Sequence, residues 1–165
     1  TRSPPDVVTY NTAISACERG AQWAGSLQLL QQVAEVRLAP DVITCSTVVS
    51  ASAREGRWRA ALHVFGFMGA LELEANLVTH NAAISACEKG GCWEVTLEML
   101  TSMQARCTPV DTVSINAAIS ACEKSAQWRV ALRLLVELVD THLLPDVITV
   151  NAAISACEKG ERWDW

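Results

Sequence analysis

The segment Asn11–Trp23, NTAISACERGAQW, returns as NAAISACEKGGCW at Asn81–Trp93, as NAAISACEKSAQW at Asn116–Trp128 and as NAAISACEKGERW at Asn151–Trp163. A diverged copy, STVVSASAREGRW, fills Ser46–Trp58. Trp23, Trp58, Trp93, Trp128 and Trp163 are each 35 residues apart, and so are Asp6, Asp41, Asn76, Asp111 and Asp146. No insertion or deletion breaks the register. Self-similarity at a fixed period of this length marks a repeat architecture. The register divides the chain into repeats at 6–40, 41–75, 76–110 and 111–145 and a partial repeat at 146–165. Thr1–Pro5 aligns with Val36–Pro40 and reads as the tail of a preceding unit. With Trp163 and Trp165 left inside a second helix, the pattern predicts a window on a longer array.

Each unit reads as two helices. Tyr10, Ala13, Ile14 and Cys17 recur at i, i+3, i+4, i+7, one face of a helix. Asp6 and Thr9 are candidate N-caps for it. Gly20 marks the break after it. The second helix carries Trp23, Leu27, Leu30 and Val33 on one face, widened by Leu29 and Val36, and Pro40 ends the unit. The fourth unit repeats this with Trp128, Ala131, Leu132, Leu135 and Leu138, closed by Pro145. A strand reading fails on both period and length. One hairpin cannot bury its own apolar face, whereas stacked hairpins can. The expected fold is therefore all-α, a right-handed α-α superhelix (solenoid) of helix-turn-helix repeats. The periodic Trp is expected in the core between helices; a base-stacking role is the less favoured alternative.

Composition narrows the function. The chain has 165 residues, is 50% hydrophobic and carries 13 Lys+Arg against 18 Asp+Glu, a net charge of −5. That is enough apolar content for a core and argues against disorder. No apolar run approaches the roughly 20 residues of a membrane span. An acidic total argues against strong nonspecific nucleic-acid binding but leaves room for a local basic stripe. The seven cysteines include no C-x-x-C and no His at ligand spacing, so no metal site is expected; Cys17, Cys87, Cys122 and Cys157 read as small buried thiols, in a reducing compartment. His63, His80 and His142 are not periodic and read as ordinary surface or interface residues. There is no Gly-rich phosphate loop, no H-E-x-x-H and no zinc-deaminase signature. No catalytic residue, enzyme activity or cofactor is expected.

The 35-residue unit, with Asp6-Val7-Val8-Thr9-Tyr10-Asn11-Thr12 at its start and P-D at its close, resembles the pentatricopeptide repeat family in its 35-residue form. Leu77-Val78-Thr79-His80-Asn81 and Asp146-Val147-Ile148-Thr149-Val150-Asn151 carry the same likeness. The period separates it from the tetratricopeptide relatives, whose unit is shorter by one residue. Cys45, His80, Ile115 and Val150 depart from Tyr10, and Ala75 and Val110 from Pro40.

The resemblance implies an RNA-binding solenoid of mitochondria or chloroplasts that reads one nucleotide per repeat, in RNA processing, stability or translation. The base-selecting pairs it implies are Asn11 with Asp41, Ser46 with Asn76, Asn81 with Asp111, and Asn116 with Asp146; Asn151 opens a fifth. By the family's pattern Asn with Asp resembles a uridine reader and Ser with Asn an adenosine reader, so the implied target is 5′-U-A-U-U followed by a pyrimidine. Val8, Ile43, Val78, Val113 and Ile148 correspond to the residues that clamp bases, and Arg19, Arg54, Lys89, Lys124 and Lys159 to those that meet phosphate.

Physical chemistry stands beside this. An Asn amide offers donors and acceptors that match a uracil edge. Helical-repeat readers assign one base per unit, and one cation per unit would track a phosphate backbone. Asn also has poor helix propensity, so Asn11, Asn81, Asn116 and Asn151 inside otherwise apolar first helices call for another use; capping or bonding between repeats is the alternative. Four or five bases at roughly 1–3 kcal/mol each, less ordering costs, give affinity near the micromolar range. The rival reading is a protein-binding helical scaffold, a subunit of a large organellar assembly. It is favoured by the net charge and by Glu18, Glu88, Glu123 and Glu158 beside four of the cations.

Overall fold

A computed structural model describes residues 6–36, 38–141 and 143–160; the expectations for Thr1–Pro5, His142, Trp163 and Trp165 lie outside them. The described residues form nine helices: α1 Val7–Arg19, α2 Trp23–Glu35, α3 Val42–Arg54, α4 Trp58–Ala70, α5 Leu77–Gly90, α6 Trp93–Ala105, α7 Thr112–Lys124, α8 Trp128–Asp140 and α9 Val147–Lys159. The odd-numbered helices begin 35 positions apart, and so do the even-numbered ones.

Two compact units divide at Ala86 and Cys87. In the first, α1 packs on α2 and α3, α2 on α3, and α3 on α4. Ile14, Leu30, Val33, Val48, Val49, Val64 and Met68 fill its core. In the second, α6 packs on α7, and α7, α8 and α9 pack on one another. Its core is Met99, Leu100, Met103, Ile115, Ile119, Leu134 and Leu138. Ala118, Ala121, Ala152, Ala153 and Ala156 are buried too. The A-x-S-A-C run persists because small side chains let successive first helices approach; larger ones would hold them apart.

The helix starts have a chemical cause. Asp6, Asp41, Asp111 and Asp146 are N-caps, each accepting the backbone N–H three residues on. Asn76 does the same for Thr79 at 2.9 Å. Thr9, expected as an alternative cap, lies inside α1; its hydroxyl donates to Asp6 Oδ1 at 2.6 Å. The hairpin turns need a left-handed residue, and it falls at Ala21, Gly56, Gly91 and Ala126, with φ between 53° and 66°. Gly20 is the C-cap but has φ −81°. The glycine therefore marks the helix end without supplying the turn's special conformation, which Ala21 adopts against its side chain's preference.

Other expectations are corrected. Trp23, Trp58, Trp93 and Trp128 are half-buried, not core. Each is the first residue of its second helix, so the apolar stripe runs past the end of the core at the hairpin turn. On α8 the buried stripe is Ala131, Leu134 and Leu138, with Leu132 and Leu135 at its margin, because α7 and α9 both close on that side. Val36 is the exposed C-cap of α2. His80 is buried, its Nδ1 3.0 Å from the Asn76 carbonyl oxygen and its ring edge-on to Phe65. It occupies the core-facing position that Tyr10 holds in the first unit. Of the cysteines, Cys45, Cys87 and Cys122 are buried, Cys17, Cys92 and Cys157 half-buried, and Cys107 exposed. Burial pushes the Cys45 and Cys122 thiols up to about 11 and Cys87 up to about 12, so these three stay protonated at neutral pH.

Candidate nucleic-acid interface

Asp41 and Asp146, the N-caps of α3 and α9, each sit beside the polar residue of the preceding first helix. In the first unit, Asp41 Oδ1 accepts from Thr44 N at 2.7 Å, and the Thr44 hydroxyl also lies 2.7 Å away. The same hydroxyl contacts the Asn11 amide oxygen. Asn11 Nδ2 then donates to Asp41 Oδ2 at 3.3 Å. The second unit repeats the arrangement. Asp146 Oδ1 accepts from Thr149 N at 2.8 Å, the Thr149 hydroxyl touches the Asn116 amide oxygen, and Asn116 Nδ2 donates to Asp146 Oδ2 at 3.1 Å. One carboxylate oxygen thus starts a helix while the other orients the amide of the previous repeat. The amide nitrogen's second hydrogen is left over from that bond.

The second pair is built differently. Ser46 Oγ donates to the Val42 carbonyl at 2.6 Å and lies 2.6 Å from Thr79 Oγ1, which donates to Asn76 Oδ1 at 2.9 Å. The hydroxyl bridges the shorter Ser side chain to the cap. Asn81 lies on α5, Asp111 caps α7, and Asn151 is exposed on α9.

The hydroxyls Thr44, Thr79, Ser114 and Thr149 are all buried, and they join the site although the family resemblance gives them no part in it. Their signal was available: one Thr or Ser stands three residues after every boundary Asp or Asn. The carboxylates they touch are perturbed. At Asp41, burial pushes the pKa up, but hydrogen bonds from Thr44 N, the Thr44 hydroxyl and Asn11 outweigh it and hold the group below the ordinary value of 3.8. Asp146 is lowered by the Thr149 hydroxyl first, then by Thr149 N and Asn116.

The aliphatic series occupies the second position of each first helix. Val8, Ile43, Val78, Val113 and Ile148 are 69%, 66%, 65%, 61% and 66% exposed. The basic series is exposed at the other end of the same helices. Lys124 Nζ donates to Glu88 Oε1 at 3.0 Å and to the Glu88 carbonyl at 3.1 Å. Lys159 Nζ donates to Glu123 Oε1 at 2.9 Å, which Ser155 also reaches. Arg19, Arg54, Lys124 and Lys159 are each the last residue of a helix, and Lys89 is next to last; cations there also complement the helix dipole. Among the described residues no group of His, Cys, Asp and Glu is placed to hold a metal ion, and no helix is long and apolar enough to cross a membrane.

A pentatricopeptide repeat domain model matches residues 28–89, and a second model of the single repeat matches residues 78–107. No curated protein matches the chain by sequence. Among solved structures, the chain is similar to the pentatricopeptide repeat protein PPR10 in complex with an 18-nt psaJ RNA element. The identity is 26% and the TM-score 0.76, over 96% of this chain and 23% of that one. PPR10 from maize matches at 29% identity and TM-score 0.70, over 94% of this chain and 22% of that one. The PPR domain of Arabidopsis thaliana protein-only RNase P 1, in complex with tRNA, matches in fold alone, at 11% identity and TM-score 0.80 over 90% of this chain and 78% of that one. The chain thus spans under a quarter of the length of the PPR10 chains.

Stacked helical hairpins, with a cap-and-amide cluster where α3 and α9 begin, define an all-α repeat protein of the α-α solenoid class. The two family models and the PPR10 likeness carry this further: the chain belongs to the pentatricopeptide repeat family.

Proposed function

We propose that this chain binds single-stranded RNA, one base per repeat, at the edge where the first helices begin. The family supports this, and PPR10, which it resembles, has been solved on an RNA element. The observation that carries it is the exposed aliphatic series, three residues before each polar reader and in unbroken register. An isolated exposed aliphatic residue needs no explanation. A fully periodic set beside oriented amides supports a surface that covers base faces while the amides meet base edges. The reader pairs are Asn11–Asp41, Ser46–Asn76, Asn81–Asp111 and Asn116–Asp146, with Asn151 opening the next, and the target is 5′-U-A-U-U and a pyrimidine. The setting is an organelle, where binding would shield, remodel or mark a transcript.

The test replaces one reader pair by the other kind already present in the chain. Asn116→Ser with Asp146→Asn should move the preference at the fourth position from uridine to adenosine. Asn76 demonstrates that Asn still caps the helix, so the fold is kept. Equilibrium binding of short unstructured RNAs reads the result. Equal binding of U-A-U-U-U and a scrambled RNA by the parent chain at low salt would sink the one-base reading. A protein-scaffold role is the second reading. It is supported by the net charge of −5 and by Glu88 and Glu123, which already neutralise two of the cations; a stoichiometric, RNase-resistant protein partner would favour it.

A further inference from the structure

We infer that the hairpin turn of the second repeat is a phosphoryl-binding site formed by Arg57 and Arg59 between the indoles of Trp23 and Trp58. These four residues, with Gly56 and Ala60, line an open cavity of about 260 Å³. The Arg57 guanidinium carbon lies 5.1 Å from the Trp23 ring centroid, and that of Arg59 lies 4.4 Å from Trp58. A guanidinium stacked on an indole spends its face on the ring and keeps its N–H edge for an anion. Stacking also fixes the fork in advance, so less freedom is lost when a ligand arrives.

Two such forks beside one cavity match a phosphoryl group, which presents several acceptor oxygens. The indole walls and the remaining volume leave room for a flat base next to it. Gly56 has φ +66° and nothing within 4 Å of where a Cβ would stand, so the mouth is clear.

The turn of the fourth repeat has one half of this pattern, Arg129 lying 5.1 Å from the Trp128 ring centroid, and no other described turn has both arginines. The corresponding triplets are Gln22-Trp23-Ala24, Cys92-Trp93-Glu94 and Gln127-Trp128-Arg129, against Arg57-Trp58-Arg59 here. Three of the chain's 13 Lys and Arg fall within Arg54–Arg59. Unlike Lys124 and Lys159, neither Arg57 nor Arg59 is in an ion pair among the described residues. Arg54 ends α3 at the same end of the hairpin. The phosphoryl group has two sources, a phosphodiester of the RNA strand or free phosphate; the first rests on the RNA-binding reading above.

The experiment follows the arginine side-chain N–H and tryptophan indole N–H resonances of the ¹⁵N-labelled chain. One arm adds inorganic phosphate, the other the RNA U-A-U-U-U. The Arg57, Arg59, Trp23 and Trp58 signals should shift saturably in both arms. The double variant R57Q/R59Q should abolish the shifts and weaken RNA binding about tenfold, equally for matched and scrambled RNA. The slope of log affinity against log salt should fall by about 0.7 per arginine removed. Both arginines are exposed, so the variant should fold, which far-UV circular dichroism checks; R57K/R59K keeps the charge without the fork and should bind at an intermediate level.

Shifts with phosphate alone would assign the site to free phosphate. If U-A-U-U-U then binds nowhere on the chain, the RNA reading fails while this site stands. If RNA binds selectively but neither titrant moves the four signals, or the shifts survive in R57Q/R59Q, the site is overturned and the RNA reading stands.

Discussion

Asp41 uses its two oxygens for two tasks, and the division explains why an acid recurs at most repeat boundaries. Oδ1 serves the helix behind it, and Oδ2 the amide of the repeat before it. Thr44 holds the carboxylate and Asn11 together through a single hydroxyl. Thr44→Val keeps the shape and deletes the hydroxyl, leaving polar partners unsatisfied. It should cost about 1 kcal/mol in denaturant unfolding and weaken discrimination at the first base. The carboxylate also sets an acid limit. Its folded pKa lies below the ordinary 3.8, so its stabilisation is complete above that value and is lost as pH falls through the folded pKa. An acid titration followed by circular dichroism should show Asp41→Asn with a flatter acid limb than the parent. An identical limb would remove Asp41 from the account. The pairing of these residues was legible from the family likeness alone. The buried hydroxyl that joins them was not assigned, because a Thr after an N-cap reads equally well as a plain first-turn residue.

At the scale of the helices, the diverged second repeat is the informative one. Ser52 stands where Cys17, Cys87, Cys122 and Cys157 stand in the other units. It is fully buried, and its hydroxyl has no hydrogen-bond partner among the described residues. A buried hydroxyl without a partner costs roughly 1–3 kcal/mol, whereas a thiol of similar size loses little there. Ser52→Cys should therefore raise stability by about 1 kcal/mol, read as a shift of the denaturant midpoint at constant slope; an unchanged or lower midpoint would contradict this. The helices and their register were legible because period and caps agree at every unit. The depth of the tryptophans was not. A 3.6-residue period gives the face of a helix but not where along its length the core ends, and each of Trp23, Trp58, Trp93 and Trp128 stands at that end. Its neighbours there are specific: a Cβ on Gly160 would stand 2.3 Å from Trp128 Cδ1.

For the whole molecule, the question is how an acidic chain would attract a polyanion. Its net charge of −5 opposes association, so cations must act locally and their acidic neighbours set how strongly. Glu88 and Glu123 hold Lys124 and Lys159 in partly exposed ion pairs. The pKa of Glu123 is lowered by its hydrogen bond from Lys159, offset by burial and aided by Ser155. Such pairs contribute roughly 0–1 kcal/mol to stability, so Glu88→Gln with Glu123→Gln should leave unfolding almost unchanged. The same change takes the chain from −5 to −3 and releases both lysines toward solvent. RNA affinity at low salt should then rise several-fold, with a steeper salt dependence, because more cations are free to displace counterions from phosphate. The gain should be equal for matched and mismatched RNAs, since phosphate contacts carry no sequence information. Unchanged affinity and slope would mean that these lysines join successive repeats and never meet the strand, leaving the phosphate contacts to Arg19, Arg54, Lys89 and the arginine pair at the second turn.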